Sequence, residues 1–206
     1  MSNHIDRFNK NIERVNNLNE LFRVAKNTRK RPTIKEADIL RASVVFLHSA
    51  LEDYIRGILI DLLPLGDKTV LNGISLVGMD GRAEKFHLGA LKDYENDTVK
   101  FLIKASVKEH MLRVSFNDTT ELSSWLRKIH IDLSGFHQFD NINKMIQRRH
   151  KIVHEADTNP TTGRGNHSVT SININTVCAW LEAVQNLVNV IEVQTTSPSQ
   201  VLQAPE

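Results

Sequence analysis

Residues 147–157 read Gln-Arg-Arg-His-Lys-Ile-Val-His-Glu-Ala-Asp, and this stretch decides how the rest of the chain is interpreted. It lies near the end of a predicted helix whose apolar residues recur at helical spacing: Ile142, Met145, Ile152 and Ala156. That spacing predicts that position 149 faces the core, yet Arg149 occupies it. A charge on a core-facing row is destabilising unless it is paired or used. We therefore expect Arg149 to have a partner or a chemical role.

Helical periodicity extends outward from this stretch over most of the chain. The predicted helices cover 3–27, 33–63, 84–91, 97–113, a segment from Thr119 or Thr120 to 129, a segment capped by Asp140 that contains the opening stretch, and 173–193. The sequence predicts a turn or a short strand over 70–77 and a loop over 130–139. In the helix over 97–113, we expect Val99, Leu102, Ile103, Val107 and Leu112 to face inward. Together these patterns predict an all-α bundle of about six helices with an extra N-terminal helix.

The longest predicted helix should be the spine of the domain. Thr33 and Glu36 have the spacing of a capping box, in which each side chain satisfies a free backbone amide of the other. From there the helix should extend for about 45 Å, at about 1.5 Å per residue. His48, Glu52 and Arg56 form a polar row on it, with Asp53 beside them.

Composition indicates a cytoplasmic globular protein. The chain has 206 residues, 40% of them hydrophobic, and a net charge of +2, which does not by itself indicate a nucleic-acid binder. A single cysteine, Cys178, fits a reducing compartment, and we expect neither a signal peptide nor a membrane span. We divide the chain into an N-terminal helix with a basic connector (1–32), a helical domain (33–194) and a disordered tail (195–206). The polar segment 157–171 should be a mobile loop.

A metal site and a catalytic nucleophile are the two interpretations that this sequence supports less well. His150 and His154 share a helical face, but a lysine lies between them and no HExxH arrangement is present. Cys178 lies between apolar neighbours and is better explained as a small core residue. We therefore expect no metal and no cofactor.

Acid–base chemistry on RNA is the alternative that Arg149 and His154 fit. RNA carries its own nucleophile, so cleavage needs a group that handles protons near neutral pH and a cation that holds the phosphate. Glu52 or Asp53 could pair with Arg149 and hold it in place. The pattern is short, however, and basic residues in a last turn favour the helix dipole in any case. The pattern alone favours a purely structural role.

The wider context adds a family resemblance. Residues 149–154 fit the Arg-[Asn/Asp/His]-x-x-x-His signature of the HEPN superfamily, and 50–55 resemble the Leu-Glu-x-Tyr segment in the second helix of its ribonuclease-associated defence branch. The order of signature helix, polar loop and final amphipathic helix is also similar. The resemblance covers about 34–193 and leaves the N-terminal helix outside.

The resemblance implies a metal-independent endoribonuclease that leaves a 2′,3′-cyclic phosphate, in the role of a toxin or phage-defence effector. It implies Arg149 and His154 as the catalytic pair, supported by His150 and by Glu52 or Asp53. RNA would also contact three basic residues: Arg148, Lys151 and Arg164. The expected partners are the RNA substrate, a second copy that completes a composite active site, and an antitoxin or defence-system protein.

One geometric difficulty and one rival interpretation follow. Positions 149 and 154 lie about 140° apart around a regular helix, so they cannot face one small target together. Either the helix loosens by 154, or a second subunit supplies the missing group. The rival is a non-catalytic helical module that binds RNA, nucleotide or a partner protein, with the basic connector 26–31 and the pair Arg148 and Arg149 as phosphate contacts. A third interpretation is a structural bundle whose dimer face holds Arg149 in a salt bridge.

Overall fold

A computed structural model describes residues 3–26, 31–78, 88–159 and 169–196. Within these ranges the chain forms seven α-helices: α1 (Asn3–Lys26), α2 (Ile34–Leu62), α3 (Lys68–Leu71), α4 (Val99–Arg113), α5 (Thr119–Lys128), α6 (Phe139–His154) and α7 (Ile174–Thr196). Short 3-10 helices cover Leu63–Leu65 and Leu88–Tyr94, and none of the described residues forms a β-strand. The all-α prediction is confirmed.

Helix α2 is the spine of the bundle, as predicted. Its capping box is present, because the Thr33 amide donates to Glu36 Oε2 at 2.6 Å and the Glu36 amide donates to Thr33 Oγ1 at 3.3 Å. Helices α1, α4, α6 and α7 all pack against it. The apolar residues along most of its length are buried, and Leu40, Leu47 and Tyr54 are fully buried.

Helix α1 belongs to the same core as the rest of the bundle. Phe8, Ile12, Val15 and Phe22 are buried, and the Phe8 ring lies 5.5 Å from the Tyr54 ring of α2. Ala25, near the end of the helix, is exposed. The helix also buries the polar residue Asn19, whose Oδ1 accepts a hydrogen bond from Ser43 at 2.8 Å.

Several local predictions were wrong. Gln138 is the N-cap residue of α6 and forms no side-chain cap bond, whereas Asp140 lies in the first turn and pairs with Lys144. In α4 the buried residues are Ser106, Val107 and Met111, while Val99 and Leu112 are mostly exposed.

The predicted turn or strand over 70–77 begins instead inside the short helix α3. Of the helix predicted over 84–91, residues 84–87 lie outside the described residues, and the 3-10 helix Leu88–Tyr94 overlaps the remainder. The predicted tail also falls mostly outside, since α7 ends at Thr196.

No helix in the described ranges is both long and apolar enough to cross a lipid bilayer.

Candidate functional site

The end of α6 places the signature residues at a reversal of the chain. The helix stops at His154, and the amides of Glu155 and Asp157 both donate to the Lys151 carbonyl at 3.0 Å. Ala156 and Asp157 then adopt positive φ values of 48° and 55°, which non-glycine residues rarely do. The turn ends the apolar row early, so Ala156 is exposed rather than core-facing.

An open cavity of about 220 Å³ lies between this helix end and α2. Its walls include His48 from α2, Asn117 from the segment between α4 and α5, and Gln147, Arg149, His150 and Glu155 from the α6 end. We call this cavity the α2–α6 cleft. It brings together Arg149 and His150, and Lys151 also lines it.

Arg149 lies half-buried in the cleft. Its Nε atom is inaccessible to solvent and has no hydrogen-bond partner among the described residues. Neither carboxylate that was expected to pair with it does so. The Glu52 carboxylate accepts from Arg56 Nη2 at 2.9 Å, and the Asp53 carboxylate accepts from Arg7 Nε of α1 at 2.6 Å.

His48 is the α2 residue that shares the cleft with Arg149, and the sequence interpretation gave it no role. Its side chain is 6% exposed, and its Nδ1 atom lies 3.8 Å from Glu52 Oε2 without a hydrogen-bond partner in the described part of the chain. Burial lowers the pKa of the His48 imidazole, the Arg149 charge lowers it further, and Glu52 opposes both. The sequence feature that could have identified His48 is the polar row His48, Glu52 and Arg56, because this row shares a face with buried positions of α2.

His154 is exposed and is absent from the cleft walls. Its ring instead lies against His150, with ring centroids 4.7 Å apart and planes tilted by 44°. The prediction that these two histidines share a face is therefore confirmed. The predicted angular separation of Arg149 from His154 also persists, because α6 stays helical up to His154.

Arg148 is part of a buried ion cluster, not of the cleft. The Asp157 carboxylate, 1% exposed, accepts from Arg41 Nε at 2.6 Å and from Arg148 Nη2 at 2.8 Å. Both guanidinium groups also donate to the Thr170 carbonyl. Burial lowers the pKa of Arg148, and the Asp157 charge opposes the shift. Arg148 therefore has a structural role in this chain, and its predicted contact with RNA stays a prediction.

The segment predicted as a mobile loop is held at both of its described ends. Thr158 forms an antiparallel bridge with Val169, and the Thr170 amide donates to the Asp157 carbonyl at 2.8 Å. Arg164, a predicted RNA contact, lies outside the described residues. Lys151, the third predicted contact, is exposed beside the cleft.

Across the described residues, no group of three or more histidine, cysteine, aspartate and glutamate side chains is arranged to hold a metal ion. The rings of His150 and His154 lie next to each other, but no third histidine, cysteine or carboxylate among the described residues joins them to form a metal-binding group.

The fold and the cleft define an all-α domain with a basic, histidine-containing site at the end of one helix. The family model described as RiboL-PSP-HEPN matches residues 9–196, which is most of the chain. The chain therefore belongs to the HEPN family, which indicates a nuclease, RNA-related or nucleotide-binding module. The match begins inside α1, so it includes most of the helix that the sequence resemblance left outside. Neither the curated proteins nor the solved structures contain a match.

Proposed function

We propose that this protein is a metal-independent endoribonuclease of the HEPN type, acting as a toxin or phage-defence effector. The observation that carries the proposal is the state of Arg149. A half-buried guanidinium with an unpaired Nε lies in a cleft beside two imidazoles, and no ion pair among the described residues neutralises it. A half-buried guanidinium without a counter-charge is costly, and a phosphate group would supply that charge by accepting hydrogen bonds from its paired terminal N–H donors.

The proposed reaction needs no external nucleophile. The ribose 2′-oxygen attacks the adjacent phosphorus, its proton passes to a neutral imidazole, and the P–O5′ bond breaks. The departing 5′-oxygen takes a proton from an imidazolium, and a 2′,3′-cyclic phosphate remains on the other product. Arg149 stabilises the extra negative charge on the phosphate oxygens, and His154 supplies one of the proton transfers.

His154 can take part only if it reaches a phosphate that Arg149 holds. Within one chain it lies outside the cleft, on the face of α6 that carries His150. We propose that two copies associate along this face, so that Arg149 of one protomer and His154 of its partner form one composite site. In that arrangement His150 supports His154 through their ring contact, and Lys151 contacts the RNA backbone.

The first test is cleavage of labelled RNA in the presence of EDTA. Arg149→Ala and His154→Ala should each abolish fragment formation, while sedimentation shows the same oligomer as the parent. Arg127→Ala and His137→Ala are matched controls, because both residues are exposed and lie outside the cleft. The mechanism is wrong if either signature variant cuts RNA as fast as its control.

A mixing experiment tests the composite site. When the two inactive variants exchange subunits at random, half of the dimers combine one copy of each, and one of their two sites has both groups intact. Activity should therefore return to about a quarter of the parent value. If each site uses Arg149 and His154 of the same chain, the mixture stays inactive.

The position of His154 outside the cleft also favours a second candidate, a non-catalytic module that binds RNA, nucleotide or a partner protein. In that case the labelled RNA is retarded in a gel without producing fragments. Lys151→Ala would then weaken retention, and His154→Ala would leave it unchanged. The basic connector that this candidate uses lies mostly outside the described residues.

A further inference from the structure

We infer that His48 is a positioning residue for Arg149: its Nδ1 atom accepts a hydrogen bond from Arg149 Nε–H when the α2–α6 cleft holds a phosphate group. This inference rests on the proposed function, because it explains how the phosphate-binding guanidinium is oriented. It adds a residue that the HEPN signature does not contain.

The first argument is the pairing of two unsatisfied atoms. His48 Nδ1 and Arg149 Nε are both inaccessible to solvent, both lack a hydrogen-bond partner in the described ranges, and both belong to residues that line the same cleft. Arginine Nε–H can only donate, and an unprotonated imidazole nitrogen can accept. Buried polar atoms without partners are uncommon, so two complementary ones at one cleft indicate a contact that forms in another state of the site.

The second argument is the geometry of the guanidinium. Arginine has five N–H donors in a planar fork, and only one of them is on Nε. If Nε–H donates to His48, both terminal Nη groups remain available for the cleft. Those two groups bind phosphate oxygens in a bidentate manner, and fixing the plane of the fork fixes where the phosphate lies.

The third argument is the protonation state of His48. Charged groups face it from two helices: Glu52 on its own helix at 3.8 Å, with Arg56 beyond that carboxylate, and Arg149 on α6. A hydrogen bond to the Phe116 backbone also acts on the ring. Burial and Arg149 outweigh Glu52 and lower the pKa of the imidazole below its ordinary value of 6.5. The ring is therefore neutral at physiological pH, which leaves it a lone pair for Arg149.

Protonation would reverse this role. An imidazolium has no free acceptor and places a second cation next to Arg149. His48 would then displace the guanidinium instead of orienting it, so the inference predicts a pH dependence specific to this pair.

One readout does not depend on cleavage. The ¹⁵N resonance of Arg149 Nε is followed from pH 8 to pH 5 with a short phosphate-containing RNA analogue that lacks the attacking 2′-hydroxyl. The parent should show a step with a midpoint below 6.5, because burial and Arg149 lower the pKa of His48. His110→Gln should keep the step, since His110 is a second histidine whose pKa burial lowers but it lies outside the cleft. His48→Gln should abolish it.

The second readout is cleavage kinetics. His48→Leu fills a similar volume without an acceptor, and we expect kcat to fall by about ten- to a hundredfold with little change in KM, as expected for a misplaced catalytic group. His48→Gln retains an acceptor oxygen and should recover most of kcat. A merely structural role would lower the melting temperature and kcat together and would give no such rescue.

The outcomes separate this inference from the proposed function. If the Arg149 Nε resonance shows no step that depends on His48, or if His48→Leu cuts RNA like the parent while Arg149→Ala is inactive, the positioning role is wrong and the nuclease assignment stands. If the step is present but the parent produces no RNA fragments, the contact stands and the nuclease assignment is wrong. If His48→Leu does not fold, the presence of the resonance step in the parent and its loss in His48→Gln still decide.

Discussion

Replacing Asp157 by asparagine should destabilise this protein more than any exposed charge substitution. Asp157 is 1% exposed and neutralises two guanidinium groups, those of Arg41 (8% exposed) and Arg148 (14% exposed). Its backbone has a positive φ of 55°, a conformation that asparagine tolerates better than other residues with a side chain. Asparagine therefore removes the charge while keeping the size of the side chain and the backbone conformation.

The magnitude follows from the burial of the cluster. Removing one partner of a buried ion pair costs about 3–5 kcal/mol, because an uncompensated charge is left behind. The amide oxygen of asparagine still accepts one hydrogen bond, so we expect the lower end, about 3 kcal/mol. For a chain of this length that loss corresponds to a fall in Tm of about 6–12 °C.

Asp38 provides a matched control on the same arginine. Its carboxylate pairs with Arg41 Nη1 at 2.9 Å, but its side chain is 60% exposed. Exposed pairs contribute about 0–1 kcal/mol because solvent screens them, so Asp38→Asn should change the free energy of unfolding by less than about 1 kcal/mol. The reasoning is refuted if urea unfolding, followed by circular dichroism, gives equal losses for the two variants.

Two further substitutions test buried polar groups. His48 has a lowered pKa in the folded state, so below pH 6.5 the unfolded chain takes up a proton that the folded chain does not, and stability falls as the pH falls. In His48→Gln, the free energy of unfolding should therefore fall less between pH 6.5 and pH 5 than in the parent. An equal fall in the two proteins would contradict the lowered pKa of His48. Tyr54 is fully buried, and its hydroxyl donates to Glu192 Oε1 at 2.8 Å; its burial and that carboxylate raise the pKa of the phenol. Tyr54→Phe should cost about 1–2 kcal/mol in urea unfolding, and a neutral result would show that water satisfies Glu192 equally well.

Local patterns were enough to predict the bundle. Helix α2 was placed to within a residue at its start, because the capping box and the apolar row are both encoded within a few positions of one another. The same holds for α7, in which the apolar residues Val177, Val184 and Ile191 recur at steps of seven and are all fully buried. The predicted start of α6 was wrong because Asp140 was expected to cap the helix. Gln138 is the N-cap residue instead, and Asp140 lies in the first turn.

The ion cluster was not predictable from local patterns. Composition made the segment after α6 resemble a polar, mobile loop, yet its first residue, Asp157, is among the most buried charged groups. Its partner Arg41 is 116 residues away along the chain. Nothing in the spacing of either segment indicates the contact, because it depends on how α6 and α2 pack.

The environment of Arg149 was predicted only in part. The apolar row correctly indicated that the arginine is drawn toward the core, where its Nε is inaccessible to solvent. The identity of its neighbour was wrong, since Glu52 and Asp53 are engaged by Arg56 and Arg7. One helical turn earlier on α2, His48 faces the arginine instead, and helical spacing alone cannot distinguish among three polar residues that lie this close together.

Helix α2 supports the end of α6 at two levels. Arg41 and His48 are seven residues apart, which is about two helical turns, so they lie on the same face of α2. Arg41 holds the chain just beyond His154 through Asp157, and His48 shares the cleft with Arg149. Both are charged or titratable groups at buried positions, where apolar side chains would be more stable. Their common position opposite the α6 end is explained if that end must be held in one geometry, as a phosphate-binding site requires.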